Sequence, residues 1–176
     1  AARGGETLFY DNLIKHNVSF RVYGDPTGVL TGLFDSFRNN IDFKYPTWSI
    51  QIRDQDKIKE FFRELDLGIF PSFVSIWLPN DHTRGTSAGS PTPETMISDN
   101  DYATGLLIEK LSQSPKWKET VVFIFEADPQ GVPDHIDAHR GPCVVIGPHV
   151  KRGYTSHVHT SFPSFHRTTE LILGMQ

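Results

Sequence analysis

The chain has 176 residues, 38% hydrophobic and 22% charged, which is long and apolar enough for one domain with a real core. Its formal net charge of −4, with basic residues scattered along the chain, is not the footprint of a nucleic-acid partner. No apolar run approaches the ~20 residues of a membrane span, and the single cysteine, Cys143, excludes an internal disulfide. The opening AARGGETLFY lacks the charged and apolar regions of a secretory signal.

In chain order, Thr7 to His16 carries Leu8, Phe9, Leu13 and Ile14 near helical spacing, and Val18 to Tyr23 alternates as a strand. Gly24-Asp25-Pro26-Thr27-Gly28 is a turn. Residues 29–55 show no clear period; Phe34, Phe37, Phe43, Tyr45 and Trp48 suggest an irregular segment pinned by aromatics. Asp56 to Leu67 reads as a helix with Ile58, Phe61, Phe62 and Leu65 on one face, capped by Asp54 or Asp56 and stopped at Gly68. Phe73 to Leu78 reads as a buried strand running into Pro79-Asn80-Asp81-His82-Thr83. A Gly, Ser, Thr and Pro-rich loop, 85–93, is long enough to lie over a site. Ser98 or Asp99 then caps a helix running to about Ser112. Val121 to Phe125 and Cys143 to Ile146 read as buried strands, which makes Cys143 a packed thiol. Ser164 to Leu173 reads as the last helix. Strands alternating with helices favour a mostly parallel sheet covered on both faces, in a single domain over 1–176.

The chemistry concentrates beyond strand ends, where open α/β sheets bind ligands. One strand delivers Asp81 and His82. The next delivers Glu126 and Asp128, and the following stretch adds Asp134, His135, Asp137 and His139. If these strands are parallel neighbours, the three groups meet on one edge. Mixed carboxylate and imidazole donors suit Zn, Mn or Fe better than Ca or Mg, which prefer oxygen alone. Such an ion neutralises a phosphate oxygen or lowers the pKa of a bound hydroxyl. Arg140 offers a fork of donors for phosphate, or an ordinary ion pair. His149, His157, His159 and His166 are weaker candidates. No nucleophile elbow, Walker loop or dinucleotide fingerprint occurs.

LPNDHTRGT, SDNDYATG, WKETVVFIFEADPQGVPDHIDAHR, VVIGPHVKRG and SFHRTTELILG together resemble the C-terminal half of the phosphoesterase family, which includes bacterial acid phosphatases and phospholipase C-type enzymes. The resemblance runs from about Leu8 onward and is strongest from Trp77 to Gly174. It implies a three-layer α/β/α sandwich of the alkaline phosphatase-like kind, hydrolysis of phosphate mono- or diesters by a metal-bound Ser or Thr, and a periplasmic or secreted location. By motif, it implies metal-site roles for Asp81, His82, Asp128, Asp134 and His135, and phosphate-binding roles for His139 and Arg140. Asp137 lies in the same Asp-His-x-Asp-x-His stretch.

Two departures set further expectations. The family's Glu-Asp-Asp triplet reads Glu126-Ala127-Asp128 here, so one carboxylate ligand is replaced by a methyl group. No N-terminal acidic/Asn motif and no nucleophile motif is recognisable in 1–176. The chain is therefore expected to be the C-terminal portion of the catalytic domain, inactive alone and completed by an N-terminal segment or another chain. The alternative, motivated by Ala127, is a non-catalytic relative serving as a binding or surface module.

Overall fold

The computed structural model describes residues 9–24, 35–46, 48–127 and 141–175. The chain divides into two compact units, residues 1–110 with 168–176, and residues 111–167.

The first unit is built on a parallel sheet. Helix α1 (Phe9–Lys15) leads into β1 (Phe20–Tyr23), which lies between β2 (Ile41–Asp42) and β3 (Phe73–Ile76). Both neighbours run parallel to β1: Val22 stands opposite Ile41 on one side and Ser75 on the other. α1 stops because Asn17 takes a left-handed conformation (φ 55°), which asparagine tolerates better than most residues. The Val18 N–H then returns to the Leu13 carbonyl at 2.9 Å. Leu13, Phe20, Val22, Ile41 and Met175 form a buried cluster, with Phe9, Tyr10, Phe73 and Leu173 packed against it. Full burial of each Leu, Val or Ile here contributes about 1.5–3 kcal/mol.

Helix α2 (Asp54–Asp66) buries Ile58 and Phe61 and ends in a Schellman-type turn. There the Ile69 N–H reaches the Glu64 carbonyl at 2.9 Å, and Gly68 has a φ of 78°. Phe61 stands edge-on to Tyr23, which is edge-on to Tyr45 (centroids 5.3 and 5.7 Å). Helix α3 (Pro93–Ser112) buries Met96, Ala103 and Leu107. It begins five residues before the expected cap at Ser98 or Asp99, with Thr92 ahead of it and Pro93 at its first position.

The second unit pairs β4 (Val122–Phe125) with β5 (Cys143–Ile146), antiparallel, with Phe123 opposite Val145. The first turns of α4 (Phe162–Ile172) supply Phe162 and Phe165, and the Phe165 ring stacks on Phe125 at 5.1 Å. These strands were expected to be buried. Instead β4 is half-buried with Phe125 exposed, and only Ile146 of β5 is even half-buried. A two-stranded ribbon has few neighbours to cover both of its faces, and an apolar run does not say which partner will cover it. Cys143 is accordingly exposed rather than packed. The desolvation its thiol does experience raises its pKa, so the thiol is kept protonated.

The result is a mixed α/β fold containing a parallel three-stranded sheet, in agreement with the expected fold class. Among the described residues no helix is long and apolar enough to cross a membrane.

Candidate functional site

β3 ends at Ile76, and the chain turns through a short 3-10 helix, Pro79–His82. This turn is fastened from beneath by a buried polar network. Asn80, only 3% exposed, donates its backbone N–H to Asp54 Oδ2 at 3.0 Å and its side-chain amide to Asp99 Oδ2 at 2.8 Å. Its own amide oxygen accepts from Lys57 Nζ at 3.3 Å. Lys57 and Asp54 pair at 2.7 Å with both side chains fully buried. Asn100 ties Asp54 Oδ2 (3.0 Å) to the Leu78 carbonyl (2.7 Å), just ahead of the turn. No buried side-chain polar atom among the described residues lacks a partner. That completeness makes such a network rigid rather than costly.

Asp99 has a second task. The residue before α2, Arg53, makes no side-chain cap. Asp99, from the interior of α3, instead accepts the Asp54 N–H at 2.6 Å and the Gln55 side-chain amide at 2.7 Å. It thus caps α2 from another helix and places a negative charge at that helix's N-terminus, where the dipole favours it. The expected caps, Asp54 or Asp56 for this helix and Asp99 for its own, are replaced by this arrangement across the fold. Burial raises the Asp54 pKa, an effect that its bonds from Lys57, Asn80 and Asn100 oppose without overcoming.

On the outer side of the turn stand the two residues singled out by sequence. Asp81 is half-buried, and among the described residues none donates a hydrogen bond to its carboxylate. His82 is exposed. Its Nδ1 lies 3.2 Å from the Thr83 carbonyl oxygen, and its ring stands at 88° to Trp48 with centroids 5.2 Å apart. A half-buried carboxylate to which no described residue donates, next in sequence to an accessible imidazole, offers the mixed donor chemistry that suits a borderline divalent cation. Asp128, Asp134, His135, Asp137, His139 and Arg140 lie outside the described residues. Ala127 is exposed, and the Glu126 N–H extends the β4–β5 ladder to the Pro142 carbonyl at 3.3 Å.

A second group of acids, Asp42, Glu60 and Glu64, also brings its oxygens within 4.8 Å of one another, close enough to share a cation. Each of its carboxylates is already paired with an arginine. Arg21 binds Glu64 through two nitrogens at 2.9 and 2.7 Å and Asp42 at 2.8 Å, and Arg63 pairs with Glu60. Tyr23 donates to Glu64 at 2.7 Å, and burial together with that bond raises the Tyr23 pKa. Burial alone would raise Asp42. The backbone N–H groups of Lys44 (2.7 Å) and Tyr45 (3.1 Å), with Glu64 and Arg21, reverse that and hold its pKa below the ordinary value. This is a structural ion network joining β1, β2 and α2. A metal there would have to displace a bidentate guanidinium.

Sequence reasoning missed the roles of Lys57, Asn80 and Asn100, named Trp48 only among the aromatics of an irregular segment, and misplaced Asp54 and Asp99. Asn80, Asp99 and Asn100 sit inside the quoted stretches LPNDHTRGT and SDNDYATG. The visible signal was two polar motifs with an acid and an asparagine each, which the fold brings together. The family model described as the Phosphoesterase family matches residues 2–172. Neither the comparison with curated proteins nor that with solved structures gives a match.

Proposed function

Because the chain belongs to the Phosphoesterase family, we propose that it serves a divalent-metal-dependent hydrolase of phosphate mono- or diesters, of the acid phosphatase or phospholipase C-like kind. The observation that carries this reading is the coincidence of the family match with the Asp/His stretches. The match spans 81–82 and 126–140, and Asp81 and His82 stand on a turn that a buried network immobilises. In this reading Asp81, His82, Asp128, Asp134 and His135 hold the ion, and His139 and Arg140 bind the phosphate. When bound, the ion would stabilise the charge that develops on the phosphoryl oxygens. The turn's part is positional: Asn80 and Asp99 fix where the Asp81 carboxylate and the His82 imidazole stand. The Arg140 guanidinium would grip phosphate oxygens bidentately.

The reading further holds that no residue of 1–176 stands in a recognisable nucleophile motif, so this chain by itself should turn over phosphate esters poorly. The test begins with the chain stripped by chelator, then titrated with Zn²⁺ or Mn²⁺ and assayed on aryl phosphate mono- and diesters. Stoichiometric metal binding, weakened in Asp134→Asn and His135→Ala, with negligible turnover is the expected result. Robust turnover would overturn the missing-nucleophile part. Absence of metal binding would overturn the metal-site assignment.

A second reading, favoured by Ala127, is a non-catalytic binding module. Ala127→Asp restores the third carboxylate of the triplet. If it raises metal affinity ten-fold or more, on the order reported for altered ligand shells, position 127 is a vacated ligand site and this reading gains. No change in affinity means that 127 is not a ligand position here.

A further inference from the structure

We propose that Thr83 and Trp48 are positioning residues for His82, holding its imidazole as the Nδ1–H tautomer with the Nε2 lone pair presented outward. The consequence for chemistry rests on the reading of His82 as a site residue given above; the tautomer itself rests on geometry alone.

Thr83 has φ 57° and ψ −177°. That region is open essentially to glycine, and a β-branched residue in it is strained. The strain persists because the surroundings over-determine it. The Thr83 N–H donates to the Asn80 carbonyl at 3.1 Å, and Thr83 Oγ1 accepts the Gly85 N–H at 3.2 Å. Asn80 in turn is locked by Asp54, Asp99 and Lys57. The product of the strained conformation is a carbonyl turned back to His82 Nδ1, 3.2 Å away. A carbonyl oxygen only accepts, so Nδ1 carries the proton. Trp48 stands nearly perpendicular to the imidazole, with ring centroids 5.2 Å apart, and so restricts the plane of the imidazole to the one in which Nδ1 reaches the Thr83 carbonyl. A 180° flip within that plane would keep the aromatic contact but set Cδ2 opposite the carbonyl and lose the hydrogen bond.

An imidazole fixed in this way has one free nitrogen, Nε2, and in the neutral form it is an acceptor. It can ligate a cation or take a proton. It cannot donate to a phosphate oxygen until it is protonated. The strained peptide therefore leaves Nε2 of the neutral ring as an acceptor, able to ligate a cation but not to donate to a phosphate oxygen.

The test is ¹⁵N NMR of the full chain labelled at histidine, at a pH where imidazoles are neutral, with the His82 signals identified by their loss in His82→Gln. An unconstrained imidazole favours the Nε2–H form. The expected spectrum shows His82 mainly as Nδ1–H. Trp48→Leu should make Nδ1–H the minor form, and Trp48→Phe should restore it. Thr83→Val keeps the β-branched strain but removes the Oγ1 acceptor of the Gly85 N–H, so it should also shift the tautomer toward Nε2–H. Thr83→Gly enters the same backbone conformation without strain and should keep Nδ1–H without lowering the thermal midpoint. A merely structural role would not make the tautomer follow the backbone conformation at position 83. His82 in the Nε2–H form in the unaltered chain, or a tautomer unmoved by both Trp48→Leu and Thr83→Val, overturns the proposal. Zn²⁺ titration separates it from the reading of function. If the tautomer is as expected but Zn²⁺ leaves the Nε2 resonance in place, His82 is not a ligand, while Thr83 and Trp48 remain its positioning residues.

Discussion

Asp99 caps a helix whose first residue precedes it by 45 positions, and much of the turn's geometry depends on its two oxygens. Asp99→Ala removes the cap, worth about 1 kcal/mol, and strands the buried Asn80 amide, at a further cost of about 1–3 kcal/mol. Chemical denaturation should therefore show a loss of about 2–4 kcal/mol. The Asp54–Lys57 pair behaves differently. Lys57→Met leaves a buried carboxylate unpaired and should cost about 3–5 kcal/mol, whereas adding Asp54→Leu to Lys57→Met should recover part of that loss. Equal destabilisation by the single and double variants would show that the pair is not the coupled unit that its 2.7 Å contact implies. Acid unfolding separates two other carboxylates. The Asp42 pKa is lowered in the fold, so its contribution is full above the ordinary carboxylate value and is lost as pH falls through the lower folded one. The Asp54 pKa is raised, so its contribution is present at low pH and is lost as pH rises through the folded value. Asp42→Asn should therefore flatten the stability–pH curve below about pH 4. Asp54→Asn should not flatten that limb.

Elements end where the backbone must enter conformations that only some residues accept, and two glycines differ instructively. Gly24 closes β1 with φ 86°, and a Cβ there would lie 3.2 Å from both Trp77 and Tyr45. Gly68 closes α2 with φ 78° and open space around it. Gly68→Ala should cost about 1–2 kcal/mol, the left-handed penalty alone. Gly24→Ala adds steric crowding and should cost more, about 2–4 kcal/mol in total; thermal melts of the two variants test the order. The same physics sets what the chain reveals by itself. The stripe Ile58, Phe61, Phe62 and Leu65 is a local period, so α2 was legible to within two residues at each end. β2 has two residues, below any window in which alternation can be counted. α3 began earlier than expected because Thr92-Pro93, a strong start signal, lay in a stretch read as loop; the Thr95 N–H reaching Thr92 Oγ1 at 3.4 Å shows it operating. The burial of β4 and β5 was misjudged because composition records how apolar a strand is, not what covers it. Of the site, Asp81 and His82 were legible as a motif. Their support was not, since Lys57, Asn80 and Asn100 act through contacts between distant segments.

For the molecule as a whole, the two acidic groups make different claims on a cation, and linkage tells them apart. A ligand that binds only the folded chain stabilises it by about 2.7 kcal/mol at a hundred times its Kd. For a chain of this length that corresponds to a rise in thermal midpoint of about 5–10 °C. Zn²⁺ or Mn²⁺ should produce such a rise, and a chelator should abolish it. If the motif residues hold the ion, His135→Ala and Asp81→Asn should remove most of the metal-induced rise while changing the metal-free midpoint little. Glu60→Gln should leave the rise intact, because the carboxylates of Asp42, Glu60 and Glu64 are each already engaged by Arg21 or Arg63. Asp42→Asn should lower the metal-free midpoint, because Arg21 then loses a partner buried to 2% exposure, yet leave the metal-induced increment unchanged. The reverse pattern, an increment sensitive to Glu60 and Asp42 but not to His135, would move the metal into the ion network on α2 and leave the Asp/His stretches without one.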